Sequence, residues 1–151
     1  MVGVVLLLLR GTEGTSATIS RVALAVFAVV YTAWEVLIGI GTGILVDEVN
    51  QLAEAERAVG AVLVEKFTDS SLIMTLETIA ATAWLVALVA AGVALVRQAG
   101  ASWLVPVLLA LSAVPTAWHV FPFGQIGLAL FAAAVLLFVR SRSPSRAPAT
   151  A

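Results

Sequence analysis

The chain has no cysteine in 151 residues, and only one histidine and one tyrosine. Without cysteine there is no disulfide, no thiolate nucleophile and no thiolate metal site. A single histidine, His119, cannot complete a typical zinc site. Charge is also scarce: 11% of the residues are charged, against about 25% in a soluble domain. HExxH, GxSxG and phosphate-loop patterns are absent, as is the basic aromatic surface that nucleic acid needs. The sequence therefore predicts no enzyme, no resident metal or cofactor, and no nucleic-acid partner.

Apolar sequence is what the chain has in abundance, with 62% hydrophobic residues and a mean hydropathy of +1.10. It is gathered into four stretches, about 22–46, 72–96, 103–121 and 123–139, each bounded by charge, Pro or Gly. A helix rises about 1.5 Å per residue, so roughly 20 residues cross a bilayer core of about 30 Å. The first three stretches meet that length and the fourth is shorter. The expected fold is all-α: a polytopic membrane protein with a four-transmembrane-helix bundle over 21–140. The lipid bilayer is its first partner, and a second copy or another membrane protein its next.

The net charge of −1 conceals an asymmetry. Arg10, Arg21, Arg97, Arg140, Arg142 and Arg146 fall in segments that four spans place on one side. Asp47, Glu48, Glu54, Glu56, Glu65 and Asp69 fall on the other, with only Arg57 and Lys66. Basic residues near span ends mark the cytoplasmic face. Both termini are thus predicted in the cytoplasm and the loop 47–70 outside. The preference for arginine over lysine, with abundant Ala and Val, suggests a GC-rich bacterial genome and hence the inner (cell) membrane.

The apolar start, Met1 to Leu9, reaches only about 14 Å as a helix and is too short to span. No basic residue precedes it, which argues against a signal peptide. Residues 1–20 read as a flexible or interfacial segment, or as the truncated end of a further helix, with Gly11 to Ser20 a linker and Ser20 an N-cap. Within 47–70, Val49, Leu52, Val59, Leu63 and Phe67 recur at roughly helical intervals. They predict a short external amphipathic helix, bent where Gly60 weakens it. Pro122, Phe123 and Gly124 suggest a tight external turn, and 141–151 a disordered cytoplasmic tail.

Polar residues inside the spans carry the functional expectations. Glu35 lies near mid-membrane, where a charge costs about 2.5 to 3.5 kcal/mol on insertion scales, so it should face the bundle interior or a wet cavity. On a 100° wheel Ala28, Tyr31, Thr32, Gly39 and Thr42 share its face. Glu77, in the outer third of the second span, shares a face with Ala81, Trp84 and Ala91. His119 closes the third span, with Ser112, Pro115 and Thr116 on its side. If Glu35, Glu77 and His119 converge, they form a proton or cation site; otherwise they hydrogen-bond neighbouring helices and hold the bundle together.

Gly39 and Gly43 form a GxxxG spacing that permits close helix approach. They are expected to tolerate bulk less well than Gly127, which has Phe131 four residues on. Trp34 and Trp84 should fill the bundle, and Trp103 and Trp118 should anchor span ends. The triplet Thr-Ala-Trp recurs at 32–34, 82–84 and 116–118 without a regular interval and reads as chance. Four short helices with a carboxylate in the first resemble the plan of small multidrug-resistance transporters. The resemblance covers architecture alone, and the long loop and the N-terminal tail depart from it. Two functions follow as expectations: helix-mediated association, as a subunit or homo-oligomer, and a small proton-coupled transporter or ion pathway.

Overall fold

Apolar runs without interior proline can keep every backbone hydrogen bond internal, which is what crossing a bilayer requires. A computed structural model describes residues 1–117 and 122–142, Ala117 by its backbone alone, and every regular element among them is helical. In chain order these are α1 (Val2–Leu8), α2 (Gly14–Glu35), a π-helical segment (Val36–Gly41), α3 (Thr42–Gln51), α4 (Glu54–Thr68), α5 (Ser71–Ala99), α6 (Leu104–Ala117) and α7 (Phe123–Arg142). Three helical stretches are long and apolar enough to cross a membrane: Gly14–Gln51, Glu54–Ala99 and Phe123–Arg142.

The third expected span, 103–121, is described as α6 over 14 residues, about 21 Å long. Its expected end, 118–121, lies outside the described residues, as do Trp118, His119 and the tail beyond Arg142. The described part of that span is therefore short of a bilayer core, and the four-span bundle is met by three helices of sufficient length.

Two compact units make up the chain, and the divisions fall inside α2 and α5: unit 1 is Met1–Leu24 with Trp84–Ala151, and unit 2 is Ala25–Ala83. In unit 1 the expected linker is largely helix. Gly11 and Gly14 take positive φ, 77° and 82°, and their freedom there lets the chain leave α1 and enter α2 within a few residues. Ser20 is not an N-cap but a buried residue inside α2, and its hydroxyl donates to the Ala87 carbonyl at 2.8 Å. The apolar start is not left free either. Val5 and Leu9 are fully buried, and the Arg21 guanidinium donates to the carbonyls of Leu9, 2.9 Å, and Thr12, 2.8 Å. A cation at the negative end of α1 suits the helix dipole.

The remaining helices of unit 1 alternate in direction. A Cβ built on Gly92 would lie 2.6 Å from the Pro106 Cα, so α5 and α6 touch backbone to backbone. One on Gly127 would lie 2.7 Å from the Thr116 nitrogen and 3.0 Å from the Ser112 oxygen, which fixes α6 against α7 equally closely. Small residues allow such approach, and in lipid close packing is a main source of helix association. Within the single chain the closely packed glycine is thus Gly127. Gly127 finds its small-residue space across α6, not four residues along its own helix, whereas Gly39 and Gly43 have nothing within 4 Å of a built Cβ.

Unit 2 corrects the reading of 47–70. The single bent helix is a hairpin: Leu52 and Ala53 are extended, with ψ of 158° and 149°, and separate α3 from α4. The Arg57 side chain donates to the Leu52 carbonyl at 3.0 Å and braces the turn. Gly60 does not bend α4. It is the buried point of contact, where a Cβ would meet Val49 at 2.8 Å and Leu52 at 3.3 Å. Glu54 and Glu56 in the first turn and Lys66 in the last also suit the helix dipole.

Candidate functional site

Tyr31 and Glu35 are four residues apart on α2, the spacing at which helical side chains meet, and the Tyr31 hydroxyl donates to Glu35 Oε1. Tyr31 is held by its neighbours, stacked on Phe27 with ring centroids 5.0 Å apart and tilted against Trp34 at 5.8 Å. Trp34 is buried, 8% exposed, as expected, while Glu35 itself is exposed. Thr32 returns its hydroxyl to the Ala28 carbonyl at 2.7 Å and offers nothing to Glu35.

Directly after Glu35 the backbone winds as a π-helix through Val36–Gly41. Such segments carry i→i+5 hydrogen bonds and are frequent at functional sites. The wider turn also explains why the expected polar stripe does not run straight. A wheel drawn at 100° per residue loses its phase across the segment, so Thr42 leaves the Glu35 face: Glu35, Gly39 and Gly43 are exposed, whereas Thr42 is half-buried. The Thr42 hydroxyl is enclosed and has no hydrogen-bond partner among the described residues.

Glu77 is half-buried on α5, in the same unit as Glu35, and no hydrogen bond joins the two carboxylates. Further along α5 the face expected to look inward does so, with Trp84 2% exposed and Ala91 fully buried. Ser112 and Thr116 lie in unit 1. Ser112 is buried and donates to the Leu109 carbonyl at 2.7 Å, and Thr116 donates to the Ser112 carbonyl at 2.6 Å. His119 lies outside the described residues, so the third member of the expected cluster is not placed. Among the described residues no three carboxylate or imidazole groups are grouped to hold a metal ion.

The residues that sequence reasoning missed are those that tie helices together: Ser20, Arg21, Gly92 and Gly127. Only Ser20, a hydroxyl inside a continuous helix, carried a signal that could have been read, because a polar side chain there needs a partner on a neighbour. In comparisons with protein-family models, curated proteins and solved structures, nothing matches the chain.

Proposed function

We propose that this is a multi-pass protein of the bacterial inner membrane that acts through helix-mediated association, as a homo-oligomer or as a subunit beside another membrane protein. The observation that carries the reading is the exposure of Glu35 together with Gly39 and Gly43, which are open to approach. A carboxylate facing lipid near mid-membrane is costly, and a glycine with free space above it admits a neighbouring backbone. A second helix laid along this face removes the cost and fills the space. Four passages with both termini cytoplasmic complete the proposal. In support, Glu13, just before α2, and Gln98, near the end of α5, are hydrogen-bonded at one end of unit 1.

The absence of cysteine makes the test direct. Single cysteines at Gly39, Ile40 and Gly43 should cross-link copies in native membranes, or cross-link the chain to one partner of defined mass, while a cysteine at exposed Val107 on α6 should not. Equal cross-linking at all four positions, or none at 39, 40 and 43, removes the association reading.

A second reading, a proton-coupled transporter or ion pathway through Glu35 with Glu77 and His119 as relay, draws on two observations. One is the Tyr31 hydrogen bond to Glu35, and the other is the π segment that follows it. Proton-linked uptake that survives Glu35→Gln in reconstituted vesicles would remove it.

A further inference from the structure

Unit 1 is almost purely basic. Its described residues include Arg10, Arg21, Arg97, Arg140 and Arg142 and a single acidic residue, Glu13. The register of the helices gathers these charges. Only residues 100–103 separate α5 from α6, and Gly92 meets Pro106, so α6 turns back along α5. Gly127 near the start of α7 meets Thr116 near the end of α6, and the two helices lie along one another, so α7 turns back in its turn. Helices α5 and α7 therefore run the same way, with Trp84 beside Phe131, ring centroids 6.3 Å apart. From that shared level Arg97 lies about 20 Å on, and Arg140 and Arg142 about 14 and 17 Å on, at 1.5 Å per residue. Glu13 and Gln98 exchange two hydrogen bonds at the same end, which places Arg10, three residues before Glu13, near it.

None of Arg10, Arg97 and Arg140 enters an ion pair or side-chain hydrogen bond with another described residue. Arg142 lies over the Phe138 ring, its Cζ 5.0 Å from the centroid, and a guanidinium attracted to an aromatic ring keeps N–H donors for other partners. Trp103, at the start of α6 and at the same end, is 64% exposed, as an aromatic at headgroup depth is. Arg21 is excluded from this set because its guanidinium is committed to the end of α1.

We propose that this end of unit 1 binds the headgroups of anionic phospholipids, with Arg10, Arg97, Arg140 and Arg142 supplying the N–H donors. Guanidinium groups bind phosphate through paired N–H bonds, and basic residues beside a span are drawn to anionic lipid. The inference rests on the chain crossing a membrane.

Purified full-length protein, exchanged into nanodiscs of equal parts phosphatidylcholine and phosphatidylglycerol, should retain phosphatidylglycerol in excess when released into the mass spectrometer. The preference should fall about five-fold for each arginine replaced by glutamine, or about thirty-fold for Arg97→Gln with Arg140→Gln. Arg57→Gln with Lys66→Gln, in unit 2, should leave it unchanged. Raising the salt should weaken the preference of the unaltered protein, a readout that needs no variant. Equal retention of the two lipids, equal loss in both double variants, or displacement of the lipid by inorganic phosphate at matching concentration overturns the proposal. Alkaline carbonate treatment of native membranes separates the failures: release of the protein removes the membrane reading and this one together, whereas a carbonate-resistant protein without lipid preference removes the headgroup site alone.

Discussion

At Gly127 even a methyl group has nowhere to go, because behind the Thr116 hydroxyl the atoms facing it are the Thr116 nitrogen and the Ser112 carbonyl oxygen, backbone groups that cannot rotate aside. Gly127→Ala should destabilise the protein by about 1 to 3 kcal/mol, the range for overpacking. Gly39→Ala, with open space above it, should change stability by less than about 0.5 kcal/mol. Thermal unfolding in one detergent checks the pair, and equal losses would contradict the packing described for α6 and α7. Ser20 offers a second test. Removing its buried hydroxyl with Ser20→Ala should cost about 0.6 to 1.7 kcal/mol, the span measured for interhelical hydrogen bonds in membranes. At Glu35 the two functional readings separate. Under association Glu35→Gln should be nearly silent, since the amide oxygen still accepts from Tyr31, while Glu35→Ala should weaken cross-linking at Gly39 and Gly43. A pH-dependent change in Trp34 fluorescence that vanishes in Glu35→Gln would instead favour the proton site.

Among the elements, α1 is the one that owes its place to a few contacts. Seven residues are too few for a stable isolated helix, and what holds this one is burial of Val5 and Leu9 and the Arg21 guanidinium at its end. Arg21→Ala should loosen α1 by about 1 kcal/mol, read as faster amide exchange over residues 2–8 with little change in α5. Uniform acceleration through both helices would mean that α1 does not open alone. The helices themselves were legible in the sequence wherever an apolar run was long and free of interior proline, as in α5. Three features were not. Bilayer thickness is the wrong measure for residues 1–9, since it is blind to a short helix that packs on protein. The break at Leu52 and Ala53 was hidden because Val49 and Leu52 keep a helical interval with the residues beyond it. The π segment escaped because a wheel drawn at a fixed angle cannot register a change of pitch. For the candidate site, the Tyr31–Glu35 pair could be read from four-residue spacing alone, whereas the tight glycines could not, since their partners lie on other helices.

For the whole molecule the number of passages, three or four, turns on α6. Its 14 described residues span about 21 Å, short of a core of about 30 Å. A short apolar helix can still cross by thinning the bilayer locally, at fractions of a kcal/mol per Å. Leaving it uncrossed would carry α7 outward and put Arg140 and Arg142 on the external face, against the bias that holds basic residues in the cytoplasm. The first cost is incurred if α6 crosses, the second if it does not. Single cysteines decide it, because the native chain contributes no background thiol. With four passages, an impermeant thiol reagent applied to intact cells should label Ala58→Cys and Gln125→Cys, and should reach Ser102→Cys and Ser141→Cys only after permeabilisation. All four positions are exposed, so protection reports sidedness and not burial. With three passages Gln125→Cys falls silent in intact cells and Ser141→Cys becomes labelled, and that exchange would remove both the four-passage proposal and the cytoplasmic C-terminus. The headgroup site adds a constraint that labelling alone does not. Arg97 and Arg140 share one end of unit 1, so labelling that put Ser102 and Ser141 on opposite sides of the membrane would contradict the register of α5, α6 and α7 as well as the topology.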